Sequence, residues 1–262
     1  MFVVDKLCYS SKLRYVNPYE KFFFAMLSLI FTIASRSIAL GLLVMGVNSY
    51  ITVIKGGISW RRYKRLMSIP LVFLVLSTVA IIINFSRTPL DAFAINFGGF
   101  YLTSSFAGIH KGVQLIVTAL ASVSCLYYLS LNTTMVDILA VLKGLKLPDL
   151  IVELMMLIYR FIFVLLETAS AISTAQNSRL GNKDYKTSMR SFGKMVQALF
   201  IRAMKRSSLL YDAMEARCYD GKIQVLRETK APNGRNVAFM AVYQFALLLY
   251  TIGFREGLVH LI

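Results

Sequence analysis

Apolar residues in this chain run in long blocks, and basic residues cluster between the blocks. The first two blocks, Phe22–Ser35 and Ile38–Ile54, are separated only by Arg36-Ser37. Pro70–Phe85 follows, entered through a proline that suits a first helical turn, and then come Gly112–Leu131 and Asn236–Phe254. A helix needs about 20 apolar residues to cross a bilayer. The two short leading blocks are therefore read as a tight hairpin of short helices, which brings the number of transmembrane helices to about five. Residues 86–110, rich in Phe, Gly, Ser and Thr, read as a loop on the outer side. Between Asn132 and Arg235 no apolar block is unbroken. There the pattern predicts a short amphipathic helix over Thr133–Lys146, stopped by Leu147-Pro148. A long helix follows from Asp149, taken as its N-cap, to about Arg179, and a second from about Arg190 to Arg217. The expected division is N-terminal transmembrane helices over 1–131, cytoplasmic helices over 132–235 and a C-terminal transmembrane helix over 236–262.

Composition fixes the class. Hydrophobic residues make up 57% of the 262 residues and the mean hydropathy is +0.62, against about 45–50% apolar in soluble domains. The fold class is all-α, a polytopic helical membrane protein. The formal charge of +16 then orients it. Lys55, Arg61, Arg62, Lys64 and Arg65 fall in a segment with no acid, and 132–235 holds 16 Lys and Arg against 9 Asp and Glu. Both belong on the cytoplasmic face of a cell membrane by the positive-inside rule, with the N-terminus inside and Trp60 and Tyr63 as interfacial anchors. Aromatic residues are not interleaved with the basic ones on a candidate face, which argues against nucleic acid as a partner.

Little in the sequence suggests chemistry. Phosphate-binding loops, zinc-protease helices, nucleophile elbows and dinucleotide fingerprints are all missing. Cys8, Cys125 and Cys218 are scattered and odd in number, so neither a disulfide frame nor a metal site is expected. No catalytic residue is assigned. Two features stand out instead. Each long helix ends in an arginine in a small-residue frame: Ala175, Ser178, Arg179, Leu180 and Gly181 in the first, Ala213, Ala216, Arg217 and Cys218 in the second. A cation in a last turn with glycine beyond is ordinary helix-end chemistry, but its duplication is not. Within the first helix, Glu153, Arg160 and Glu167 lie seven apart and drift only about 20° per step, so they line one stripe and are read as a structural ion-pair ladder.

Several stretches together carry a family resemblance. They are Asn17-Pro18-x-x-Lys21, Thr133-Thr134-Met135-Val136-Asp137-Ile138-Leu139, Leu147-Pro148, Leu157 to Leu165, Ala175 to Gly181, and Ala213 to Tyr219. In this order they resemble the transmembrane T component of energy-coupling factor (ECF) transporters, nearest the CbiQ branch for cobalt or nickel. The general signature of that family is Ala-Arg-Gly twice. Here it reads Ser178-Arg179-Leu180 and Ala216-Arg217-Cys218, and Asn182 stands where tyrosine is expected. The resemblance implies a non-catalytic coupling subunit of an ATP-driven importer. Its partners would be two CbiO-like ATPase subunits, a CbiM-like substrate-binding membrane subunit, a small CbiN-like accessory subunit and the lipid bilayer. ATP and Mg would be bound by the ATPases, with no cofactor in this chain. Arg179 and Arg217 would dock in ATPase grooves, with Ala175, Ser178, Ala213 and Ala216 permitting close approach. The competing readings are the same role in a nickel importer, or a self-sufficient secondary transporter, which would need inverted repeats and broken helices that the sequence does not display.

Overall fold

The computed structural model describes residues 3–82, 84–86, 93–97, 100–104, 106–221 and 231–259. Its helices are α1 (Val3–Ser10), α2 (Pro18–Ser35), α3 (Ile38–Tyr50), α4 (Trp60–Ile82), α5 (Phe106–Asn132), α6 (Met135–Gly144), α7 (Asp149–Ser178), α8 (Tyr185–Glu215) and α9 (Gly234–Val259). The helical membrane-protein class expected from the hydropathy blocks is what the chain forms. Among the described residues three helical stretches are long and apolar enough to cross a membrane, Ile38–Lys55, Gly108–Asn132 and Gly234–Gly253. The first reaches that length because a π-helical turn, Ile51–Lys55, continues α3.

Several expectations need correction, beginning with Pro70, which lies inside α4 rather than in a first helical turn, and with the outer loop. Strand β1 (Asn84–Ser86) lies at the end of the expected Pro70–Phe85 block, and β2 (Phe93–Phe97) and β3 (Phe100–Ser104) lie within the predicted outer loop; they pair antiparallel in the order β1-β3-β2. Phe93 opposes Ser104 and Phe97 opposes Phe100, while Phe85 opposes Leu102. Aromatic and β-branched residues favour such pairing; the Gly, Ser and Thr of the segment had suggested a loop.

The chain falls into two compact units, residues 2–138 with 229–262, and residues 139–228. In the first unit α2, α3 and α4 all pack on α5, and α9 packs on α2. The break at Arg36-Ser37 is real: Arg36 adopts a left-handed φ of 47° and separates α2 from α3. Asn17 caps α2 by accepting from the Tyr19 N–H at 2.9 Å, with Pro18 at the first helical position, as both residue types favour. Lys21 is fully buried, and its Nζ donates to the carbonyls of Leu13 at 3.2 Å and Asn132 at 2.9 Å. Ser11 Oγ donates to Asn132 Oδ1 at 2.7 Å, so three segments meet on one asparagine. Further in, Phe24 packs against Tyr128 and Tyr243, and Gln244 Nε2 donates to the Phe24 carbonyl and to Ser28 Oγ. Asn48 Nδ2 reaches Cys125 Sγ at 3.1 Å. Helices in lipid lack a hydrophobic drive toward each other, so contacts of this kind help to hold them.

In the second unit the long helices span 30 and 31 residues, about 45 Å each at 1.5 Å per residue. Asp149 is not the N-cap of α7. Pro148 occupies that position in an extended conformation, and Asp149 sits in the first turn. There its carboxylate favours the positive helix end and pairs with Lys143 at 3.0 Å. Helix α8 begins at Tyr185, five residues ahead of the predicted Arg190, because extended Asp184 supplies an earlier start.

Candidate functional site

The ends of α7 and α8 close in the same way. In α7, Arg179 N–H donates to Gln176 O, Leu180 N–H to Asn177 O, and Gly181 N–H back to Gln176 O at 2.8 Å. In α8, Arg217 N–H donates to Met214 O, Cys218 N–H to Glu215 O, and Tyr219 N–H back to Met214 O at 3.1 Å. Each is a Schellman closure, which requires one left-handed residue. That residue is Leu180 in the first and Cys218 in the second, both with φ 57°. Neither Gly181 nor Gly221 fills the left-handed position that a glycine beyond the arginine had suggested. Each arginine thus immediately precedes the reversal, at the outermost point of its helix. Ala175, Ser178 and Arg179 are exposed, as are Ala213, Ala216 and Arg217. Helix α6 closes on Lys146 in a similar way, but Leu145 precedes the turn there, so the arginine and its small-residue frame are particular to the two long helices.

Gly181 serves a different purpose. A Cβ there would stand 2.8 Å from Gln176 O and 3.0 Å from Ser191 Oγ. Ser191 Oγ donates to the Gly181 carbonyl at 2.8 Å, and Gln176 Nε2 donates to the Ser191 carbonyl at 2.8 Å. The first tip is therefore tied to α8. The second is tied to α7: Tyr219 Oη donates to Glu153 Oε2 at 2.8 Å. That bond favours the neutral phenol and raises the Tyr219 pKa above its ordinary 10. The sequence marked Glu153 as one rung of an ion-pair stripe; the structure brings it to a tyrosine 66 residues away. Arg160 lies with Arg206 on a cavity of about 310 Å³ between α7 and α8, lined otherwise by apolar residues such as Phe161 and Leu210. Glu167 is exposed. Large apolar side chains of α8 are uncovered in this chain, with Phe192 56%, Phe200 66% and Leu209 59% exposed.

Residues 10–227 match the model of the CbiQ family, cobalt transport proteins. Protein MJ1089 of Methanocaldococcus jannaschii, uncharacterized, is 36% identical over 247 residues, 94% of this chain and 91% of its own. A putative fused cobalt transport protein CbiMQ of Methanocorpusculum labreanum is 30% identical over 250 residues, 95% of this chain and 41% of its own length. The energy-coupling factor transporter transmembrane protein EcfT of Ruminiclostridium cellulolyticum is 33% identical over 132 residues, 46% of this chain and 49% of its own. With the apolar helices, the ordered motifs and the paired arginine tips already described, the match makes this chain a member of the CbiQ cobalt transport family, among the transmembrane T components of energy-coupling factor transporters.

Proposed function

We propose that this chain is the non-catalytic coupling subunit of an ATP-driven cobalt importer, and that α7 and α8 carry force from two ATPase subunits to a substrate-binding membrane subunit. The observation that supports this most is the shared closure of the two longest helices, which presents Arg179 and Arg217 in equivalent positions. A single chain facing two like ATPases needs two like plugs. Each guanidinium would pair with a carboxylate in an ATPase groove, where a planar fork can bind bidentately. Ala175, Ser178, Ala213 and Ala216 leave room for the groove walls, and Leu180, Gly181 and Cys218 shape the turn beside it.

In this reading, closing of the ATPase pair on ATP and Mg draws the tips together. The movement passes along two rods joined by the Gly181–Ser191 and Tyr219–Glu153 hydrogen bonds. The uncovered apolar residues of α8 suit a membrane partner, which we take to be CbiM-like, and the fused relative carries both names in one chain. A CbiN-like accessory subunit belongs to the same assembly. The chain itself holds no cofactor in this scheme, crosses the cell membrane several times and keeps its N-terminus in the cytoplasm, consistent with the basic segments on one face.

The test is charge reversal at the tips. A hydrogen-bonded charge pair contributes about 1.5–3 kcal/mol, so Arg179→Glu or Arg217→Glu should weaken ATPase co-purification by roughly tenfold or more. The double variant should abolish cobalt uptake while the chain still inserts in the membrane. Unimpaired uptake by the double variant would defeat the proposal.

A further inference from the structure

We infer that the first unit holds an anionic phospholipid at its basic end, in a cavity of about 320 Å³ lined by Lys55, Arg235, Phe24, Tyr128, Phe239 and Met240. This volume lies at the small end of the roughly 300–1,000 Å³ typical of small-molecule sites. It suits a headgroup with the upper part of one acyl chain. The lining is divided by chemistry. Lys55 closes the π-helical turn after α3 and Arg235 opens α9, so two cations come from elements 180 residues apart. The rest of the named lining is aromatic or aliphatic.

Five elements meet there: the 3-10 turn Lys12–Tyr15, the start of α2, the turn that finishes α3, the last turns of α5 and the first turns of α9. From this same end leaves the acid-free segment with Arg61, Arg62, Lys64 and Arg65. The 3-10 turn that contributes Leu13 to the lining also carries Lys12 and Arg14. Glu20 does not line the cavity, and its carboxylate accepts from the Asn233 N–H at 3.0 Å. Lys55 Nζ sits 5.5 Å above the Phe239 ring, which holds the ammonium at the boundary between the polar and apolar parts. Basic pockets between membrane helices on the cytoplasmic side recognise phosphate headgroups, and the cytoplasmic leaflet is the anionic one. Two cations with no acid on the lining favour a net-negative headgroup over a zwitterionic one. Asn236 adds one neutral polar group beside Arg235, and the otherwise apolar or aromatic remainder favours a lipid over free phosphate.

The full chain, purified in detergent and stripped of lipid, would be titrated with dioleoylphosphatidylglycerol and dioleoylphosphatidylcholine. Retained lipid would be read by native mass spectrometry, and Tm in the same samples. The expected result is saturable binding of phosphatidylglycerol with a rise in Tm, at concentrations where phosphatidylcholine gives neither. Lys55→Gln with Arg235→Gln should weaken that binding at least tenfold without changing Tm in the absence of lipid. Met240→Trp keeps both charges, fills the apolar part and should weaken binding as well. Equal retention of the two lipids, wild-type affinity in both variants, or the same Tm rise from inorganic phosphate would each overturn the assignment. So would displacement of the lipid by an added substrate-binding subunit, which would give the cavity to a protein segment.

Discussion

Leu180 and Cys218 occupy the left-handed position that closes each long helix, with φ 57°. A non-glycine residue there is strained by about 1–2 kcal/mol from its Cβ, a contact glycine lacks. This gives a physical reason for the Ala-Arg-Gly signature of the family: its glycine falls on the residue that must reverse the chain. Leu180 is 70% exposed, so little packing opposes the strain. Leu180→Gly and Cys218→Gly should therefore each raise stability by roughly 0.5–1 kcal/mol, the strain relieved less the extra freedom glycine has when unfolded. Leu180→Ala, which keeps a Cβ, should give no such gain. Thermal unfolding in detergent decides it, and a lower Tm for Leu180→Gly than for Leu180→Ala would refute the strain argument. Gly181 is the opposite case. Its Cβ has no room beside Gln176 O and Ser191 Oγ, so the residue the sequence offered as a helix terminator is kept by close approach to the last turn of α7 and, less tightly, to α8.

At the scale of elements, local rules read well where the chain decides for itself. Asn17-Pro18 predicted a helix start, Arg36-Ser37 a break and Leu147-Pro148 a stop, because capping and proline geometry need no distant partner, although the same rules misplaced the α7 cap at Asp149 and a helix start at Pro70. The arginine tips were legible for the same reason. Tertiary pairing was not. Phe93–Phe97 and Phe100–Ser104 stand on either side of Gly98-Gly99, a usable hairpin signal between aromatic runs, yet the glycines, serines and threonines of 86–110 were read as a loop. Glu153 was legible only as a charge at a seven-residue spacing, since its partner lies beyond the end of the next helix. That contact titrates. The folded Tyr219 pKa is raised, chiefly by its hydrogen bond to Glu153. Its contribution is therefore complete below pH about 10, the unfolded value, and is lost as pH rises through the higher folded value. Comparing the ultraviolet tyrosinate titration of wild type with that of Tyr219→Phe should isolate one phenol ionising above pH 10. Glu153→Gln should return that phenol toward its ordinary range and make the 216–221 segment easier to cleave with protease. A Tyr219 titration unmoved by Glu153→Gln would show that the two are not joined in solution.

For the whole molecule, the first unit is held by polar groups placed deep between helices, and they differ in what their loss should cost. Asn48 donates to Ser124 Oγ at 3.4 Å and to Cys125 Sγ at 3.1 Å. Polar contacts between membrane helices average about 0.6 kcal/mol, because the separated helices also find partners in the membrane. Asn48→Ala should therefore cost little. Lys21 is different in kind. It is a buried cation whose Nζ joins the carbonyls of Leu13 and Asn132, so it fastens the 3-10 turn and the end of α5 to the start of α2. Removing it leaves those carbonyls short of a donor, and an unsatisfied buried group costs about 1–3 kcal/mol. It also releases Asn132, which accepts from Ser11 at 2.7 Å. Lys21→Met keeps the length and apolar stem of the side chain while deleting the donor, so it separates hydrogen bonding from packing. In thermal unfolding of the full chain in detergent, Lys21→Met should lower stability by several times the loss seen for Asn48→Ala. Asn132→Ala should resemble Lys21→Met, and the double variant should fall short of their sum, because both dismantle one network. If Lys21→Met is as mild as Asn48→Ala, or if the two losses simply add, then the buried lysine is not the fastener, and the Asn17-Pro18-x-x-Lys21 motif owes its structural role to the cap alone.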